Sequence, residues 1–231
     1  MRAYVLCGGF GTRLQSVTQG SQKALVSVHG APFLQAVLVQ LAQGGVSEAV
    51  LCAHYRADQV AEQLPALAKA SGLTLGLAIE EQPLGTGGAL LNALAKHPAD
   101  DRYLALNADT YLDAPAYRLA GVPSGNAMVG VQVEERSRFG SLEVDVGGAL
   151  IAINEKGVTG PGLINAGVYA FEAEAFAGLT VQPCSLERDL LPALLRRAAV
   201  MVCEYRGRFI DIGTPESFAR YSIDFQMSAA R

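Results

Sequence analysis

The chain is expected to fold as an α/β protein, with a mixed, mainly parallel sheet flanked by helices and a small antiparallel part. Three observations lead there. In the first half, apolar runs of strand length alternate with helical apolar stripes across short connections. A glycine-rich loop follows directly on the first apolar run. In the second half, strand-like runs follow one another with turn glycines between them, which favours antiparallel pairing. Half of the 231 residues are apolar, enough for a sizeable core.

Tyr4-Val5-Leu6-Cys7 is a buried strand. Pro32 to Gln43 reads as a helix, with Pro32 at its first position, Phe33, Val37, Leu38 and Leu41 on one stripe, and Gly44-Gly45 ending it. Ala49 to Ala53 is a strand, Asp58 to Ser71 a helix weakened by Pro65, and Leu73 to Glu80 a strand. Gly85 to Lys96 opens on glycines and turns helical, and Tyr103 to Leu106 is the next strand. Beyond it, Ala127 to Val133 is a strand, and Leu142 to Val146 and Ala149 to Asn154 form a hairpin about Gly147-Gly148. Leu163 to Phe171 is a strand, Ser185 to Arg197 a helix capped by Ser185, and Val200 to Tyr205 and Phe209 to Ile212 short strands. Thr214 caps a last helix with Pro215 at its first position. No repeat or linker divides the chain, so one continuous sheet is expected.

A net charge of −4 and an isoelectric point near 5.4 argue against a nucleic-acid partner. Cys7, Cys52, Cys184 and Cys203 lack C-x-x-C spacing and are expected as free buried thiols. With no secretory leader or membrane-length apolar run, a cytoplasmic enzyme without membrane contact is expected. His29, His54 and His97 show no ligand spacing, and no nucleophile elbow is present.

The chemistry begins at Gly8-Gly9-Phe10-Gly11-Thr12-Arg13-Leu14, with Lys23 ten residues after the arginine. Glycines let main-chain N–H groups approach an anion, and Arg13 and Lys23 add full charge, so the loop is suited to phosphate. It is neither a Walker loop nor the dinucleotide fingerprint, whose spacings are absent. Asp109 and Asp211 each stand at the end of an apolar run, and a carboxylate at the carboxyl end of a parallel strand lies in the crevice where such folds bind ligands.

The Gly-Gly-x-Gly-Thr-Arg-Leu run with its later lysine resembles the signature of the sugar-phosphate nucleotidyltransferases, also called nucleoside-diphosphate-sugar pyrophosphorylases. The resemblance covers essentially the whole chain and implies a Rossmann-like, GT-A-like fold. It implies a mainly nucleotide-binding half over 1–125 and a mainly sugar-phosphate-binding half over 126–231. The nucleotide would meet Leu6, Gly8, Gly9, Gly11, Thr12 and Arg13, and the base would meet Gln82, Pro83, Gly87 and Gly88 of the Pro-Leu-Gly-Thr-Gly-Gly segment, with Gln82 reading its edge. Arg13, Lys23 and Asp109 would be catalytic, Asp109 and Asp211 would hold Mg²⁺, and Gly140, Glu155, Lys156, Asn165 and Glu187 would hold the sugar phosphate. Gln22 replaces the family's usual proline before the lysine, which is expected to loosen the loop while keeping Lys23 in place.

Within the family, Glu-Gln-Pro-Leu-Gly-Thr-Gly-Gly, Ser-Leu-Glu-Arg-Asp and Phe-Ile-Asp-Ile-Gly-Thr-Pro-Glu are most similar to the heptose 1-phosphate guanylyltransferases. That implies GTP and a D-glycero-D-manno-heptose 1-phosphate as substrates, with GDP-heptose serving surface polysaccharide synthesis. Mannose 1-phosphate guanylyl transfer stays open, and so does MurNAc 1-phosphate uridylyl transfer, since an amide at Gln82 also pairs with pyrimidines. An inactive nucleotide-sugar-binding subunit would be expected to lose a loop cation or a metal aspartate, and all four are present. A homo-oligomer is compatible with the sequence.

Overall fold

The computed structural model describes residues 1–11, 14–18, 20–154 and 156–229, with residues 15, 16 and 224–229 described by their backbone alone. Its centre is a nine-stranded sheet. The strands β1 (Arg2–Leu6), β4 (Glu48–Ala53), β5 (Thr74–Ile79) and β6 (Tyr103–Asn107) pair in parallel, in the order β6-β1-β4-β5. Beyond β6 the sheet turns antiparallel through β11 (Gly162–Phe171), which pairs with β6, β8 (Asn126–Val133) and β9 (Ser141–Val144). The strand β10 (Leu150–Asn154) closes the hairpin on β9, and β12 (Val200–Tyr205) runs parallel to β8.

Strand alternation explains why both faces of the sheet are covered. Ala3 and Val5 of β1, Ala49 and Leu51 of β4, and Leu104 and Leu106 of β6 share a core with α2 (Phe33–Gln43), α3 (Ala57–Ser71) and α5 (Ala114–Gly121). Tyr4, Val50, Cys52, Tyr103 and Ala105 point the other way, against α4 (Gly85–Lys96) and α6 (Leu191–Leu195). A parallel strand buried on both sides must be apolar on both sides, which is why these strands read as unbroken apolar runs. No described helix is long and apolar enough to cross a membrane.

Some elements depart from expectation. The helix α2 starts at Phe33, and Pro32 belongs instead to a small hairpin of β2 (Ser27–Val28) and β3 (Ala31–Pro32). His29 and Gly30 form its turn with φ of 50° and 83°, a hand that suits tight hairpins. The turn between β9 and β10 is longer than two residues, because the Asp145 carboxylate accepts the N–H groups of Gly147 and Ala149. The short helix α1 (Gln15–Thr18), the strand β7 (Thr110–Leu112) and helix α5 have no counterpart in the expected elements. The expected helix from Ser185 to Arg197 begins as a π-helical turn, Leu186–Leu190, and becomes regular only in α6. Ser185 caps it as expected, accepting the N–H of Arg188 at 3.2 Å. Thr214 likewise caps the last helix, α7 (Pro215–Ala229). Cys7 and Cys52 are free and buried, while Cys184 and Cys203 are free and only half-buried.

Candidate active site

The carboxyl ends of the parallel strands open onto a cavity of about 310 Å³. Leu6, Gly8 and Gly9 line it from the end of β1, Glu80, Pro83, Leu84 and Gly85 from the end of β5, and Asn107 and Asp109 from the end of β6. Gly8 fits closely there: a Cβ would stand 2.9 Å from Glu80 Oε1 and 3.4 Å from His54, so a larger residue would push the Glu80 carboxylate aside. Glu80 is buried; its Oε2 accepts the Leu84 N–H at 3.0 Å, while Oε1 has no partner among the described residues. Burial pushes its carboxyl above the usual range.

Lys23 lines the same cavity, and its Nζ lies 2.5 Å from Asp109 Oδ2. Gln22 carries that lysine. Its side-chain oxygen accepts the N–H groups of Ala24 and Leu25, its amide donates to the Cys7 carbonyl, and its own N–H donates to Gln59 Oε1 at 2.8 Å. The expectation that Gln22 loosens the loop is therefore reversed: the buried amide ties the Lys23 turn to the end of β1.

The second carboxylate arrives from β13 (Phe209–Asp211), which pairs antiparallel with β7 in the register Asp211↔Thr110. The Ile212 N–H also donates to the Asp109 carbonyl at 3.0 Å. Burial and the charge of Asp109 push the Asp211 carboxyl up, against the pull of Lys23, and Arg138 Nη2 lies 3.2 Å from Asp211 Oδ1. Two hard carboxylates that raise each other's energy fit a divalent cation of the Mg²⁺ kind. No set of three or more His, Cys, Asp or Glu ligands is found among the described residues, so the rest of such a shell would come from phosphate and water.

A second cavity, of about 670 Å³, shares Thr86 and Asn107 with the first and is lined by Gly140, Lys156, Asn165, Glu187 and Asp211. These residues come from the start of β9, the turn after β10, β11, the π-helical turn and β13. Glu187 is held firmly, because its oxygens accept the hydroxyls of Tyr169 at 3.1 Å, Thr86 at 2.9 Å and Ser185 at 3.0 Å. A π-helical turn at this point fits the frequent use of such turns at functional sites.

The structure thus gathers most of the expected residues around two joined cavities and relocates others. Thr12, Arg13 and Glu155 lie outside the described residues. Gly11 has φ +60 and packs on Lys23 without lining either cavity. Gln82 is exposed and lines neither cavity, beside Pro83, which lines the first; Glu80, two residues earlier and not among the expected site residues, also lines it. Gly87 and Gly88 line neither cavity. Their N–H groups donate to the Cys184 carbonyl, and a Cβ on Gly88 would collide with the Gln182 carbonyl oxygen. These two glycines let α4 pack closely on the segment before the π-helical turn, and Gly85 lines the cavity instead. The apolar run Leu75–Ile79 ending at Glu80 is the signal that could have singled out Glu80, as a carboxylate at the end of a parallel strand.

Known proteins resemble this chain in sequence and fold. The chain is 30% identical over 224 residues to D-glycero-alpha-D-manno-heptose 1-phosphate guanylyltransferase of Campylobacter jejuni, covering 97% of this chain and all of that one. It is 32% identical to the catalytic subunit beta of mannose-1-phosphate guanylyltransferase of Drosophila melanogaster, of which it spans 60%. The crystal structure of HddC from Yersinia pseudotuberculosis superposes with a TM-score of 0.84 at 32% identity, covering 97% of this chain and 99% of that one. The same protein complexed with GMP-PN gives 0.83. The nucleotidyl transferase family model matches residues 2–227, and the chain belongs to that family.

Proposed function

We propose that this protein joins GTP and a D-glycero-D-manno-heptose 1-phosphate into GDP-heptose and pyrophosphate. The carrying observation is that the two cavities meet at Thr86 and Asn107, with Asp109 on the wall of one and Asp211 on the wall of the other. Two phosphate-bearing substrates seated there would bring their phosphates together between the aspartates. A phosphate oxygen of the sugar 1-phosphate attacks the α-phosphorus of the triphosphate in line. The new P–O bond forms as the α–β bridging P–O bond breaks, and pyrophosphate leaves with the electron pair. The nucleophile is already an anion, so no base has to take a proton, and catalysis rests on position and charge.

Lys23 would leave Asp109 for the triphosphate, Arg13 would face the departing pyrophosphate, and Lys156 would hold the sugar phosphate. Asp109 and Asp211 would hold Mg²⁺, which when bound neutralises phosphate charge. Glu80 favours guanine over uracil. A carboxylate offers acceptors alone, guanine presents its N1–H and N2–H side by side, and uracil presents one N–H between two carbonyls.

Pyrophosphate release, measured with GTP, UTP, CTP, ATP and dTTP against heptose, mannose and MurNAc 1-phosphates, tests this. The largest turnover is expected with GTP and the heptose, ending when Mg²⁺ is chelated and returning when it is restored. Turnover with UTP and none with GTP would overturn the guanylyl assignment. Mannose 1-phosphate is the second reading, favoured by the 32% identity to the Drosophila melanogaster subunit.

A further inference from the structure

We propose that Tyr169 is a positioning residue for the sugar 1-phosphate, its buried hydroxyl setting the orientation of both Asn165 and Glu187. The proposal rests on the two-substrate function above and goes beyond it, because Tyr169 lines neither cavity.

Tyr169 is fully buried, with its ring stacked on Phe171 at 5.8 Å. Its oxygen accepts from Asn165 Nδ2 at 2.7 Å and donates to Glu187 Oε1 at 3.1 Å. A phenol has one proton to donate, and here it goes to Glu187. Asn165 is fixed from both sides, since its Oδ1 accepts the Gly167 N–H at 2.9 Å. That leaves the Asn165 amide one N–H and one lone pair for the cavity it lines. Glu187 is pinned on its other oxygen by Thr86 and Ser185. One hydroxyl inside the protein therefore decides how two polar side chains of the sugar cavity face their ligand.

The strand is shaped for this contact. Asn165 and Tyr169 are four residues apart, a distance of about 13 Å along a regular strand. The β11–β8 register breaks between them, and Gly167 sits in the gap with φ +70. A Cβ on Gly167 would stand 2.5 Å from Asn107 Nδ2, so only glycine lets this bulge close against the end of β6.

Tyr169→Phe keeps the ring and removes the hydroxyl. The KM for the sugar 1-phosphate is expected to rise about tenfold, with the KM for GTP within about twofold of the parent. Tyr103→Phe is the control: Tyr103 is equally buried, its hydroxyl has no partner among the described residues, and neither KM is expected to move. A double-mutant cycle with Asn165→Ala gives a second measurement. The effects on the sugar KM are expected to be less than additive, because the second change removes a group the first has already released. Unchanged KM values in Tyr169→Phe, an equal rise in both, or additive effects in the cycle would overturn the proposal. A parent protein inactive with every substrate pair would instead overturn the proposed function, so the two failures are separable.

Discussion

The two ends of the site are built in different ways. At the nucleotide end, main chain at the ends of β1, β5 and β6 shapes the cavity, and side chains add Lys23, Asp109 and Glu80. Those strands are in parallel register, with β1 and β6 buried on both faces and β5 half-buried at the sheet edge, and they leave little freedom to the loops at their carboxyl ends. At the sugar end the walls are side chains from β11, the π-helical turn and β13, and several are aimed by other side chains. A backbone-built cavity is rigid because the sheet is rigid. A cavity built from side chains is only as specific as the hydrogen bonds behind them.

The largest effect is expected at the junction of the two cavities, where main chain and side chains act together. Lys23→Met is expected to lower kcat by about 10²–10³, the scale of losing one preorganised charge contact. Lys23 lies 2.5 Å from Asp109 and is 12% exposed, so some stability is lost too. The kinetic loss should nevertheless exceed what the change in folded population explains, read by pyrophosphate release beside thermal unfolding. A variant with parental kcat would mean that Lys23 serves only to neutralise Asp109.

Next in size is a change confined to the nucleotide end. Glu80→Gln should raise the KM for GTP by about ten- to a hundredfold, the value of a good bidentate base contact, and leave the sugar KM alone. The pH dependence sharpens this. Burial holds the Glu80 carboxyl above its ordinary value, so it takes up its proton at a higher pH than an exposed glutamate would as acidity increases. The protonated acid loses an acceptor, and the KM for GTP should therefore rise on going from neutral pH toward pH ~5. In Glu80→Gln that slope should vanish. A slope that persists would assign the titration to another group.

The same contrast explains what could be read in the sequence. Gly8-Gly9-Phe10-Gly11 is contiguous and follows a strand, so loop and strand announce each other, and the alternation of strands and helices points to the parallel order. Gln82 is conspicuous because it stands beside a proline, whereas the cavity wall is set by where β5 ends, and it ends in time to turn Glu80 inward. Gly87 and Gly88 read as a ligand cradle because a glycine needed for helix packing and one needed for a ligand are the same letter. The sugar end is legible only as separate fragments. Nothing local in Asn165, Tyr169 and Glu187 shows that a bulge at Gly167 and a π-helical turn bring them together.

The smallest effect concerns the anchor of the nucleotide end. Gln22 is 1% exposed, and its side chain bonds the N–H groups of Ala24 and Leu25 and the carbonyl of Cys7. Gln22→Ala leaves the Ala24 N–H and the Cys7 carbonyl without that side chain in a tight site, while the Leu25 N–H keeps its bond to the main-chain carbonyl of residue 22, and should cost about 1–3 kcal/mol in urea unfolding. Gln22→Pro is the informative partner. The residue sits at φ −62, ψ 132, a backbone that proline adopts without strain. Proline would lose the side-chain bonds and the N–H bond to Gln59, but it would stiffen the unfolded chain, which returns about 0.4–1 kcal/mol. Gln22→Pro is therefore expected to be no less stable than Gln22→Ala by more than the worth of the single Gln59 bond, about 1 kcal/mol. If Gln22→Ala unfolds at the parental urea concentration, the buried amide adds nothing net, and the Lys23 turn is held by the sheet alone.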